Sequence, residues 1–123
     1  MTEQSDIIGI FNGEIENSES LICALHKDCI WRENVTLAVS EIHGSKIMGE
    51  IRTGGIVAGG KFTGTYSDGK ILFTTSNGAN RTITWTGRFE ENEIRGSWDE
   101  EDRRLFVRLT GGRYFSGSWQ CKR

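Results

Sequence analysis

The sequence contains no proline in 123 residues, only three cysteines and two methionines, and carries a formal charge of only −2. With proline absent and 16 glycines present, many of them in Asp-Gly, Asn-Gly and Gly-Gly pairs, the chain reads as short strands joined by tight turns, with no segment resembling a linker. The start, MTEQSDIIGIF, lacks a basic region followed by a long apolar run, which argues against a signal peptide and predicts a cytoplasmic protein with reduced thiols. No stretch is long and apolar enough to span a bilayer. The near-neutral balance, with a pI of about 5.7, argues against non-specific binding to nucleic acid or to an anionic membrane. The charge is uneven: residues 1–33 hold seven acids and two bases.

What is present is one strand pattern used repeatedly: a large apolar residue, a spacer, glycine, a spacer and a second large apolar residue. It occurs as Ile7-x-Gly9-x-Phe11, Ile47-x-Gly49-x-Ile51, Phe62-x-Gly64-x-Tyr66, Trp85-x-Gly87-x-Phe89, Ile94-x-Gly96-x-Trp98 and Phe115-x-Gly117-x-Trp119. Residues two apart in a strand share a face, so each copy sets two bulky side chains on one side with a gap between them. Glycine is tolerated there where a sheet coils tightly, where an aromatic covers it, or where something else needs the space. The irregular spacing of the copies excludes a tandem repeat fold. The pattern predicts an all-β chain forming one domain over residues 1–123, an antiparallel meander barrel of eight to ten strands.

The expected strands are Ile7–Ile15, Trp31–Ile42, Lys46–Arg52, Ile56–Ser67, Lys70–Ser76, Asn80–Glu90, Glu93–Trp98, Arg104–Thr110 and Arg113–Cys121, with Val35, Leu37 and Val39 on one face. Residues 18–27 fit a short helix or another strand. Paired residues in a hairpin share a face, which fixes register. A two-residue turn at Glu91-Asn92 pairs Phe89 with Ile94, Gly87 with Gly96 and Trp85 with Trp98. A turn at Asp68-Gly69 pairs Tyr66 with Ile71 and sets Gly64 against Phe73. Parity calls for a three-residue loop, Asn77–Ala79, or a bulge, for a three-residue loop at Thr110-Gly111-Gly112 pairing Val107 with Phe115, and for an even-numbered loop over Asp99–Arg104 that brings Trp98 to face Leu105. Trp85, Phe89, Trp98, Leu105, Val107, Phe115 and Trp119 then share one face.

Motifs with catalytic or metal chemistry fail on inspection. Gly55-Ile-Val-Ala-Gly-Gly60-Lys61 nearly spells a phosphate-binding loop, but Phe62 stands where Ser or Thr should hold magnesium, and a strand follows where a helix should. Cys23, His26 and Cys29, with His43 or Cys121, offer zinc-ligand types, but on one strand His26 points away from both cysteines. Glu90, Glu91, Glu93 and the run Asp99–Asp102 read as solvated charge in turns. Arg88, Arg95, Arg104 and Arg108, with Phe106 among them, form an outer wall that Glu90 and Glu93 largely neutralise. No metal or cofactor is expected.

The aromatic face carries the binding hypothesis. A small eight-stranded barrel is just wide enough to be plugged by its own side chains. Gly64, Gly87, Gly96 and Gly117 would instead leave gaps between Tyr66, Trp85, Trp98 and Trp119, giving an apolar pocket. Both readings stay open at this level. The chain resembles the calycin barrels, the lipocalins, fatty-acid-binding proteins and avidins. Phe62-Thr-Gly-Thr-Tyr66 is similar to the avidin strand that carries a biotin-contacting tyrosine, and Thr84-Trp-Thr-Gly-Arg-Phe89 with Trp98 resembles the later strand pair with its pocket tryptophan. The resemblance implies a ligand site lined by Tyr66 and Trp98. Asp68 stands where that family has a biotin-contacting serine, and Arg81 and Ile83 replace small hydroxyl residues, so architecture carries over and biotin does not.

The resulting expectation is a non-enzymatic binder of a small apolar or amphipathic ligand, held in the barrel by Tyr66, Trp85, Phe89, Trp98 and Trp119. The alternatives are a plugged barrel acting as a protein-interaction or homo-oligomerising module, and a barrel isomerase or cyclase using Tyr66 or a buried carboxylate.

Overall fold

Alternation at a period of two gives every strand one face to bury, and a sheet coiled until its first and last strands meet buries that face with no edge left over. The computed structural model, which describes residues 7–17, 32–54, 59–77, 81–102 and 113–123, shows this closure. Eight strands are seen among those residues: β1 (Gly9–Asn17), β2 (Arg32–His43), β3 (Lys46–Thr53), β4 (Gly60–Ser67), β5 (Lys70–Asn77), β6 (Arg81–Glu90), β7 (Glu93–Asp102) and β8 (Arg113–Lys122). Each is antiparallel to the next, and β8 returns to pair with β1, setting Ile15 beside Trp119 and Gly13 beside Cys121. The expected meander barrel is the fold, and the anticipated short helix at 18–27 falls outside the described residues.

Two hairpins follow the register arithmetic. Phe89 pairs with Ile94, Gly87 with Gly96 and Trp85 with Trp98 across Glu91-Asn92. Tyr66 pairs with Ile71 across Asp68-Gly69. In both turns the two central residues have positive φ (53° and 78°; 54° and 64°), the mirror-image geometry whose twist suits a hairpin. The β5–β6 loop has three residues as parity required, but it spans 78–80 and not 77–79, so Phe73 meets Trp85 and Thr75 meets Ile83.

Three expectations need correction. β1 begins at Gly9, not Ile7, and runs to Asn17. Asp99–Asp102 is not a turn: β7 continues through it, and Glu100 pairs with Ile83 on one side and Phe115 on the other. The expected strand Arg104–Thr110 lies outside the described residues, and β8 bonds directly to β7. Phe115 therefore pairs with Glu100 instead of Val107, and Trp98 with Gly117 instead of Leu105. The physical reason is that β8 must offer one edge to β7 and the other to β1 for the barrel to close.

Every strand contributes apolar side chains to the inner face. Phe11, Ile15, Val35, Leu37, Val39, Ile47, Ile51, Phe62, Tyr66, Ile71, Phe73, Ile83, Trp85, Phe89, Ile94, Trp98 and Trp119 are all buried. The strand glycines serve coiling and packing. A Cβ at Gly96 would overlap the Thr86 carbonyl oxygen, which only a tightly coiled sheet brings so near. At Gly87 the space is already taken, since a Cβ there would stand 3.1 Å from Cζ2 of Trp119 and 3.0 Å from Cγ2 of Ile94.

Candidate functional site

The antiparallel meander gives the barrel two unlike ends. At one end stand the three tight turns, Gly44-Ser45, Asp68-Gly69 and Glu91-Asn92, with the start of β1 and the end of β8. Backbone hydrogen bonds knit this end together: Tyr66 N–H donates to Ser45 O and Phe89 N–H to Gly69 O, each at 2.7 Å, and Arg123 N–H donates to Asn92 O at 3.1 Å. The Arg123 guanidinium lies over the rings of Phe11 and Phe89, 4.9 and 5.7 Å from their centroids, and donates to Ile8 O at 3.1 Å and to Asn92 Oδ1 at 2.8 Å. Cation and rings together cover the tight-turn end.

The middle of the barrel is a packed aromatic layer. Phe62 stacks on Phe73 with centroids 3.9 Å apart and ring planes 20° apart, and Phe73 lies near-parallel to Trp85 at 5.9 Å and 14°. Trp119 meets Phe73 and Trp85 edge-on at 6.1 and 5.6 Å, and Trp98 lies 6.5 Å from Trp85. Each of these three indole N–H groups is bonded. Trp119 donates to Thr86 O and Ser97 O (2.9 and 3.1 Å), Trp98 to Glu16 O (3.2 Å) and Trp85 to Thr75 Oγ1 (3.0 Å).

Toward the other end the inner face turns polar. Thr75 and Glu100 are buried, 3% and 1% exposed, in one cross-strand row on either side of Ile83. Glu33 and Thr53, half-buried, occupy inner-face positions on β2 and β3 opposite Ile15 and Val35. A Cβ on Gly54 would stand 3.2 Å from Glu33 Oε2, which puts that carboxylate at the end of β3. The four connections at this end pass through residues outside those described.

All five residues expected at the site, Tyr66, Trp85, Phe89, Trp98 and Trp119, are on the inner face and buried, but they form two groups. Tyr66 and Phe89 contact each other at 6.3 Å under the Arg123 stopper, and Trp85, Trp98 and Trp119 belong to the central layer. Glu100 and Thr75 were missed as site residues. The available signal was that Glu100 follows Trp98 by two and Thr75 follows Phe73 by two, the same-face spacing.

Outside the barrel, Arg88 and Arg95 pair across β6 and β7, and Glu93 holds the Arg95 guanidinium at 2.6 Å, while Arg104, Phe106 and Arg108 lie outside the described residues. Of the metal-ligand candidates, His43 is exposed at the tight-turn end and Cys121 is a buried free thiol. Burial, with Glu93 adding to it, pushes that thiol up to about 12. Cys23, His26 and Cys29 lie outside the described residues.

No protein-family profile and no curated protein matches the sequence. Among solved structures the chain is similar to bradavidin2 in complex with biotin, with a TM-score of 0.57 and 14% identity over 90% of this chain and 94% of that one. It is also similar to a variant of the fluorescent protein UnaG, with a TM-score of 0.48 and 9% identity over 98% of each chain. At 14% identity the first likeness speaks for the fold alone, a closed eight-stranded meander with the architecture of the calycin-type barrels.

Proposed function

We propose that this barrel is a non-enzymatic binder of a small amphipathic ligand, taken up at the end of the barrel where Thr75, Glu100, Glu33 and Thr53 face inward. The observation that carries the reading is Glu100, a carboxylate 1% exposed on the inner face two residues from Trp98. Even a partnered acidic group, as Glu100 is, stabilises a buried position no better than a well-packed apolar residue of similar size, so a barrel filled for stability alone has no need of one there. Polar groups converging beside aromatic walls are the ordinary composition of a small-molecule site. The similarity in fold to a barrel solved in complex with biotin supports a ligand-binding use of this architecture.

In this reading Trp85 and Trp98 provide the apolar surface next to the polar groups, and Trp119, Tyr66 and Phe89 hold that surface in place from the stoppered end. Native mass spectrometry of the purified protein, followed by denaturation and analysis of what is released, tests it. A stoichiometric small-molecule adduct, lost in Trp98→Ala and weakened in Glu100→Gln, is expected. A bare mass, together with tryptophan emission indifferent to apolar probes, would refute the reading.

A second reading rests on a specific observation, the outward exposure of Ile8, Ile10 and Leu72 (39%, 61% and 45%). They suit a barrel that associates through its wall, and the same native mass spectrum would display the oligomer.

A further inference from the structure

The ladder between β4 and β5 is short. Ser67 pairs with Lys70, Tyr66 with Ile71 and Thr65 with Leu72, and the pairing goes no further. Beyond that point each strand is bonded on its far side only: Gly60, Lys61 and Phe62 to Ile51, Glu50 and Gly49 of β3, and Phe73 to Asn77 to the Trp85–Arg81 run of β6. A seam therefore runs from Gly64 toward the polar end of the barrel, between two strands that the rest of the sheet holds from behind. Its outer rim is the exposed Lys61, Thr63, Thr74 and Ser76.

On the inside, among the described residues, Phe73 closes the seam twice, against Gly64 where the ladder ends and by stacking with Phe62 beyond it. Phe73 continues the stack onto Trp85, so three near-parallel rings lead from the seam to the centre of the barrel. Phe62 is the most easily displaced of the three. It stands at the end of the stack, and its strand starts at Gly59-Gly60, where Gly60 has a φ of 143° that only glycine adopts readily and where an added Cβ would meet nothing within 4 Å. Thr75, buried on the inner face of β5, bonds the Trp85 indole N–H just inside.

We infer that the β4–β5 seam is a lateral portal with Phe62 as its gate, and that it admits a flat conjugated molecule which displaces the Phe62 ring and stacks on Phe73. This rests on the ligand-binding reading above and adds the route and the shape of the ligand. A planar molecule replaces the stacking that Phe62 gives up, whereas a buckled aliphatic one of the same size does not.

The test uses 2-naphthol as a flat probe and decahydro-2-naphthol as its buckled counterpart, with tryptophan quenching and stopped-flow mixing as readouts. The proteins are the unmodified chain, Phe62→Ala, and a seam-locked form. The lock is Thr63→Cys with Thr74→Cys in a Cys23→Ser, Cys29→Ser background, joined by oxidation or a short bis-alkylating linker and verified by mass. Expected are about tenfold tighter binding of the flat probe than of the buckled one, association about tenfold faster in Phe62→Ala, and association about tenfold slower in the locked form, restored on reduction where the lock is a disulfide. Binding of 2-naphthol at a rate that neither change alters would overturn the portal and leave the ligand-binding reading standing. Equal affinity for the two probes would overturn the stacking. No binding by any form, with Phe62→Ala folded by near-ultraviolet circular dichroism, would remove both readings together.

Discussion

The indole N–H of Trp85 donates to the hydroxyl of Thr75 over 3.0 Å, with both side chains sealed inside the barrel. This bond is what allows the Trp85 indole to be fully buried on β6, because an indole N–H without a partner there would carry its whole desolvation cost. Thr75→Val keeps the shape and removes the acceptor. It should lower unfolding stability by about 1–3 kcal/mol in denaturant titration, and Thr75→Ser should recover most of that loss. Equal stabilities for the valine and serine variants would show that the hydroxyl has no such role.

The tight-turn end depends on Arg123. Its guanidinium stacks over Phe11 and Phe89 and reaches both Ile8 O and the Asn92 side chain. Arg123→Ala should cost about 1–2 kcal/mol in thermal or chemical unfolding. Arg123→Lys should recover little of it, since an ammonium lacks the flat face and the fork of donors. Full recovery by lysine would reduce the role to charge alone.

Strand and turn glycines separate by cause. Gly96→Ala would drive a Cβ into the Thr86 carbonyl, a backbone atom that cannot yield without breaking the β6–β7 ladder. Gly44 sits in open space with a φ of 62°, so Gly44→Ala meets only backbone strain. The first should destabilise by about 3 kcal/mol or more, the second by about 1 kcal/mol, as read from denaturant midpoints. A reversed order would contradict the coiling argument.

Cys121 is a pH-linked group. Its thiol is neutral when protonated, and burial, assisted by Glu93, raises it from 9.0 to about 12 in the folded chain. Between those values the unfolded chain loses a proton that the folded chain keeps, so stability should fall as pH rises from 9 toward 12 and be unaffected by this group below that range. Replacing Cys121 by Ala should flatten that part of the stability profile. In native protein at pH 8, iodoacetamide should leave the Cys121 peptide unmodified, as peptide mass mapping would reveal. Rapid alkylation would mean that the thiol is open to solvent.

Much of the architecture could be read along the chain. Same-face spacing put Val35, Leu37, Val39, Trp85, Phe89, Trp98 and Trp119 on one side, and the parity of two-residue turns set the registers at Glu91-Asn92 and Asp68-Gly69. These are local facts: a period of two, and a turn that links neighbours. The acidic run Asp99–Asp102 was misread because four charged residues look like solvent-facing turn, and nothing in that run reveals that β8 and β6 flank Glu100.

The site was legible only in part. Its aromatic wall follows from alternation, so the sequence by itself determined which side chains would line the barrel. Whether the gaps beside the glycines stayed open was a matter for tertiary structure, because the atoms that fill them come from elsewhere: Phe73 against Gly64 across β4–β5, and Trp119 of β8 against Gly87 of β6, two strands away. The closure of β8 onto β1, the Arg123 stopper over Phe11 and the burial of Glu100 are likewise long-range. They depend on how far the sheet coils before its two edges meet, a property of the whole assembly that no single strand encodes.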